Sequence, residues 1–313
     1  VKAVFDRLPS FVDTRIRVFA VATLVAQILI VGTGGAVRLT GSGLGCPTWP
    51  RCTPESFVST PEMGIHGIIE FGNRLLTFVL VAIAIGMFVL VLRIRRERRD
   101  LFVLALLIGL YVPIQAIIGG ITVLTNLNPY VVGLHYVASV VLVSLSAVLV
   151  FRVFLGPRGE RVNLPGGYRV LVAITAVTTA ATILVGVLVT GSGPHAGDGG
   201  AARNGLNSEL LQHIHSWPAY ATFVATLALI VGAWRLGQRR LLTFSLILFA
   251  IEGVQIVIGL VQARLGLPEI LVGIHMVLAC CLAAAMTAVV LALREPRGPL
   301  AVKRDIGVAA VSV

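Results

Sequence analysis

The chain has 313 residues, of which 57% are apolar and only 12% charged, with a mean hydropathy of +0.95. Soluble domains carry roughly 25% charged residues, so a soluble globular enzyme is excluded, together with the disordered, collagenous and disulfide-scaffold classes. A net charge of +11 would indicate nucleic acid as a partner in a soluble protein; in a membrane protein it indicates basic cytoplasmic loops.

Uninterrupted apolar stretches predict eight helices, over residues 17–37, 64–92, 101–124, 129–151, 168–190, 208–234, 241–262 and 268–293. The positions of Lys and Arg then orient them. Twenty of the 25 fall at the N-terminus, in the second, fourth and sixth loops, and at the C-terminus. The other four loops hold only Arg38, Arg51, Arg203 and Arg264, and Arg74 lies inside a span. By the positive-inside rule both termini are cytoplasmic and the basic charge is a topology signal, which leaves nucleic acid no place as a partner. The first span is long and no small-residue cleavage site precedes the Gly-rich outer loop, so it is expected to be a retained helix rather than a signal peptide.

The two halves repeat. Gln115-Ala-Ile-Ile-Gly119 recurs as Gln255-Ile-Val-Ile-Gly259, and Val132-Gly-Leu-His135-Tyr recurs as Val272-Gly-Ile-His275-Met, both at an offset of 140. Thr40-Gly-Ser-Gly43 returns as Thr190-Gly-Ser-Gly193 after the first span of each half. The expected fold is therefore an all-α integral membrane protein whose eight transmembrane helices form two pseudo-symmetric four-helix bundles, related by an axis along the membrane normal. The boundaries are an N-terminal bundle over 1–155, a cytoplasmic linker over 156–167, a C-terminal bundle over 168–293 and a cytoplasmic tail over 294–313.

All six histidines lie on the outer side of this topology. One His near a helix end is ordinarily a hydrogen-bonded interface residue, and His195 and His213 are read that way. His135 and His275 stand at equivalent repeat positions, where imidazoles facing across a bundle could hold heme iron axially between apolar walls. The spacing alone does not choose heme over another metal.

The first outer loop is more specific. Gly34-Gly-Ala-Val-Arg38-Leu-Thr-Gly-Ser-Gly-Leu-Gly-Cys46-Pro-Thr-Trp-Pro-Arg-Cys52, followed by Glu70-Phe-Gly-Asn73-Arg74, strongly resembles the bacterial, integral-membrane heme A synthase family, over essentially the whole chain. The resemblance implies oxidation of a methyl group of heme O to a formyl group, giving heme A for terminal oxidase assembly. It also implies a resident heme b in the C-terminal bundle and substrate heme O in the N-terminal one. Contact with heme O synthase and with an electron donor follows; the donor's identity, the oxygen source and the oligomeric state, a homo-oligomer included, stay open.

Cys46 and Cys52 face the oxidising side with five residues between them, and a disulfide is expected. The loop of residues 192–207 in the C-terminal half has no such pair, and Cys280 and Cys281 read as packing residues in an apolar helix. Aligning the second helix of each half puts Glu70 opposite Gln212, Asn73 opposite His215 and Arg74 opposite Ser216. The C-terminal half thus keeps two axial candidates, His215 and His275. The N-terminal half keeps His135 but has Asn73 where the family's Glu-x-x-His-Arg pattern places a histidine. His66, seven residues earlier on the same face, is a substitute ligand, or else an interface histidine or a mobile one at the pocket mouth.

Glu70 is either a carboxylate paired with Arg74 at i+4 or the catalytic group, taking protons or stabilising cationic character at the reacting carbon. The resemblance makes the matching glutamate essential. Arg38 and Arg74 are candidates for heme propionate pairing, with interfacial anchoring the alternative for Arg38. Two other classes remain beside the enzyme: a diheme membrane electron-transfer protein and a heme transporter or chaperone.

Overall fold

The computed structural model describes residues 5–296, and the expected tail beyond 296 and Lys2 lie outside the described residues. Eight helices of 23 to 28 residues follow one another: α1 (Thr14–Leu39), α2 (Gly64–Val91), α3 (Arg99–Leu124), α4 (Pro129–Leu155), α5 (Gly166–Ser192), α6 (Ser208–Arg235), α7 (Arg239–Arg264) and α8 (Glu269–Leu291). All eight are long and apolar enough to cross a membrane. This is a multi-pass, all-α membrane protein, and its helix ends fall within about a turn of those expected from hydropathy.

Local chemistry starts several of these helices. Asp13 caps α1 by accepting the Ile16 N–H, Asn207 caps α6 through the Leu210 N–H, and Asn128 caps α4 through the Tyr130 and Val131 N–H groups with Pro129 at the first position. The helices then stay apolar all round. Phe78 at 71% and Ile270 at 77% exposure present their side chains outward, where lipid and not water is the solvent.

Packing sorts the helices into two sets. Ile16, Leu80, Leu101 and Leu149 belong to one buried cluster, which joins α1 to α4. Val172, Leu229, Leu248 and Val289 belong to a second, which joins α5 to α8. A smaller cluster of Val31, Val140, Val143, Cys280 and Ala283 seals α1 and α4 against α8. Each half of the sequence therefore has its own core, and the third cluster joins the halves.

Hydropathy did not reveal the structure at the basic end. The segment expected as a plain linker contains β1 (Arg158–Arg161), which pairs antiparallel with β2 (Arg294–Pro296). Val162 and Leu164 follow β1 into the second core beside Tyr168, so this connection packs instead of hanging free. Several basic residues here also tie backbone: Arg98 pairs with Asp100 at 2.9 Å and donates to the Arg152 carbonyl, and Arg93 donates to the carbonyls of Asp6 and Leu8.

Candidate functional site

The helix directions bring the ends of α1, α3, α5 and α7 together with the beginnings of α2, α4, α6 and α8. Arg38, Glu70, Asn73, Arg74, His135, His215 and His275 all lie near this one end of the bundles.

In the C-terminal half, His215 on α6 and His275 on α8 face each other, their ring centres 6.3 Å apart and their planes at 71°. Both rings are half-buried, and the Nδ1 of each has no hydrogen-bond partner. Metal–imidazole bonds run about 2.0 Å, so an ion held in line between two rings sets their centres about 6 Å apart. The spacing thus fits a bis-imidazole centre whose remaining ligands come from elsewhere, as a porphyrin supplies them. Among the described residues no cluster of three or more His, Cys, Asp or Glu is arranged for a metal ion.

Glycines make room for the rings. A Cβ on Gly186 of α5 would stand 2.9 Å from His215 Cε1, and one on Gly259 of α7 would stand 3.2 Å from His275 Cε1. The repeated Gln-x-x-x-Gly segment acts the same way twice: Gln255 Nε2 donates to the His275 carbonyl at 3.1 Å, and Gln115 Nε2 donates to the His135 carbonyl at 3.3 Å. Four residues on, Gly259 and Gly119 each clear space for the imidazole. In the sequence the signal for this arrangement is the fixed spacing from Gln to Gly beside a repeated His.

The N-terminal half has one such imidazole, His135, whose Nδ1 is also unpartnered. Asn73 is held by α1, its Oδ1 accepting the Thr33 hydroxyl at 2.7 Å. His66 is the third residue of α2 and exposed; its Nδ1 is 2.9 Å from Ser42 Oγ.

Above this half lies the loop of residues 41–60, closed by the Cys46–Cys52 disulfide. Glu70, 5% exposed, holds the loop down: Oε2 accepts the Cys46 N–H at 2.5 Å and Oε1 accepts Arg74 Nη2 at 2.6 Å. Arg74 in turn donates to the carbonyls of Cys46, Thr48 and Arg51. Trp49 reaches over α3 and lies against Gly120, where a Cβ would stand 2.4 Å from the indole. Gly119 therefore faces His135 and its neighbour Gly120 faces the loop's indole. Trp49 was absent from the sequence-based candidates because nothing local marks its partner.

Arg38 points across the molecule. Its Nε and Nη2 donate to the carbonyls of His195, in the loop after α5, and Thr190, in the last turn of α5, at 2.8 and 2.9 Å. Gly43 N–H donates to the Gly197 carbonyl at 2.8 Å beside it. Of the two propionate candidates, Arg38 thus has one nitrogen, Nη1, outside these bonds, and Arg74 has all three arms engaged.

Comparison with known proteins decides the family. The cytochrome oxidase assembly protein family (COX15-CtaA) matches residues 17–287. The chain belongs to that family. Proteins named heme A synthase resemble it: that of Listeria monocytogenes (strain EGD-e) is 30% identical over 183 residues, 56% of this chain and 58% of the relative. That of Exiguobacterium sibiricum is 25% identical over 181 residues, covering 56% and 60% respectively. That of Bacillus pumilus is 29% identical over 150 residues, covering 46% and 47%. The chain thus spans less than two thirds of the length of each of these relatives.

Proposed function

We propose that the protein is a heme A synthase, a membrane oxidoreductase that converts a methyl group of heme O to the formyl group of heme A. The observation that carries this reading is the difference between the halves: two facing imidazoles in one, and in the other the buried Nδ1 of His135 without such a facing partner, with the buried carboxylate of Glu70 at the same end of the bundle, under a disulfide-closed loop. Names of the relatives support the same activity.

In this reading His215 and His275 hold heme b, with Gly186 and Gly259 leaving space for their rings. When bound, heme b supplies one-electron redox chemistry. The pocket lies among α5 to α8, and the Nδ1 atoms of His215 and His275, without partners in the protein, are open to a bound group. In the N-terminal half His135 positions heme O, with Asn73 and His66 as the further candidates on α2. Glu70 stands at the pocket roof. There its carboxylate accepts a proton as the methyl carbon gains oxygen, or offsets positive charge developing at that carbon. The Cys46–Cys52 loop, pinned by Arg74 and Trp49, closes the roof against water. Of the two propionate candidates Arg38 offers its Nη1 at this level, and Arg74 would serve only by exchanging one of its bonds to the loop carbonyls.

The proposed setting is the cell membrane, with the two bundles as duplicated halves around an axis along the membrane normal. Both termini are cytoplasmic and the heme sites lie toward the outer face. Heme O synthase as supplier and a separate electron donor complete the proposed partners.

Extraction of pigments after expression with a source of heme O tests the reading. Heme A in the extract supports it. Unchanged heme O with two bound hemes would instead indicate electron transfer alone, and unchanged heme O released to an acceptor would indicate a carrier.

A further inference from the structure

Eight buried side-chain nitrogen or oxygen atoms lack a hydrogen-bond partner among the described residues, and six of them lie in the C-terminal half. Two are the Nδ1 atoms of His215 and His275. The other four all sit on α7: Ser245 Oγ, Glu252 Oε2, Gln255 Oε1 and Gln262 Oε1. The steps of seven, three and seven residues keep the four on one stripe of the helix, which runs about 25 Å along its axis.

Glu252 is the most demanding member. It is 5% exposed near the middle of a membrane span, its Oε1 accepts the Thr226 hydroxyl at 2.7 Å, and no ion pair reaches it among the described residues. A carboxyl group in that position is expensive to bury, and in membrane helices such groups mark ion or proton pathways. Nothing in the duplication requires it: at the offset of 140 the N-terminal half has Ala105, Val112, Gln115 and Thr122, so only Gln115 is shared. Buried polar atoms left unpaired in a row are sites for ordered water. At one point the stripe meets the site itself, where Gln255 Nε2 bonds the His275 carbonyl.

We propose that the α7 stripe is a water-filled proton path, with Glu252 as its proton-carrying group, which delivers a proton toward the His215–His275 pocket when that pocket takes up an electron. The proposal rests on the reading of that pocket as the heme b site. The electron would come from a one-electron donor, and a heme b held by His215 and His275 would supply the one-electron chemistry. The proton comes from a hydronium ion of the aqueous phase at the Arg239 end of α7: an O–H bond of that ion breaks, leaving water, and an O–H bond forms on a Glu252 carboxylate oxygen. Of the helices packed beside α7, α6 carries Thr226, His213, His215 and Tyr220, with Glu209 and Arg235 at its ends. The other neighbour, α8, carries His275, Cys280 and Cys281, with Glu269 at its start.

The holoprotein in lipid nanodiscs tests this by redox titration of the b-type absorbance at several pH values. In the wild type the reduction equilibrium should shift up to tenfold per pH unit, about 59 mV for one electron. Glu252→Gln, close in shape, should flatten that dependence, and Glu252→Asp should retain it. An unchanged pH dependence in Glu252→Gln overturns the proposal. Infrared spectroscopy gives a second readout that needs no heme. At acidic pH, where Glu252 holds a proton without reduction of the pocket, a carboxylic C=O band missing from Glu252→Gln should shift promptly in deuterated water, and more slowly in Ser245→Ala. A band that resists exchange for hours shows a dry stripe and overturns the proposal. If the wild type binds no heme b, the reading of the pocket fails, while the infrared arm still decides whether the path conducts.

Discussion

Glu70 accepts the backbone N–H of Cys46 at 2.5 Å from 24 residues away, joining the first turns of α2 to the disulfide-closed loop. Its other oxygen is bonded to Arg74, so one carboxylate, proposed above as catalytic, also anchors the loop. A structural and a catalytic role are separable by substitution. Glu70→Gln keeps the bulk and an acceptor for the Cys46 amide but removes the charge. It should still bind both hemes, and heme A yield should fall by at least about tenfold, a loss of about 1.4 kcal/mol of transition-state stabilisation. Pigment analysis should show heme O or a hydroxylated intermediate; a wild-type yield would end the catalytic reading.

His215→Ala and His275→Ala should each abolish the permanently bound b-type heme while leaving the protein inserted. The measurement is the low-spin heme spectrum of purified protein, normalised to protein content. A normal spectrum in both variants would refute the ligand assignment.

His66 is bonded to Ser42 at the pocket edge, and the two roles weighed for it diverge sharply. As the substitute for the ligand absent at Asn73, its loss in His66→Ala should remove heme O binding. As an interface histidine, it should leave binding and turnover nearly intact. Heme O titration of the variant decides between them.

The glycines that shape the two pockets should act separately. Gly186→Ala puts a Cβ 2.9 Å from His215 Cε1 and should lower heme b occupancy severalfold. Gly120→Ala puts one 2.4 Å from the Trp49 ring system, which cannot yield at its tip. It should spare heme b and reduce heme A yield by lifting the loop. Heme content per protein and pigment composition, read on both variants, check the separation.

The Cys46–Cys52 bond closes a short loop, for which chain entropy suggests about 2 kcal/mol of stabilisation. Neither thiol should label in the isolated protein without prior reduction. Cys46→Ser should loosen the segment that Glu70 and Arg74 hold, read as faster proteolysis of residues 41–60.

Much of this protein was legible before any coordinates. Spanning a bilayer requires about 20 contiguous apolar residues, a local demand that hydropathy reads directly, so the eight spans emerged with ends close to those observed. The repeated Gln-x-x-x-Gly and Val-Gly-x-His segments marked equivalent positions in the two halves, and the Cys46–Cys52 spacing announced a closed loop. Tertiary structure alone decided what these residues touch. Helices that are apolar all round carry little record of which face meets which neighbour, because lipid and protein interior accept the same side chains. Hence the Cys46 amide on Glu70, the Trp49 indole on Gly120, Arg38 committed to the carbonyls of His195 and Thr190, and the solitary Glu252 on its polar stripe became visible only once the helices were packed. The pairing of β1 with β2 was hidden for a related reason: two strands of four and three residues, 135 positions apart in Arg294 and Gly159, form through contact rather than through any local pattern.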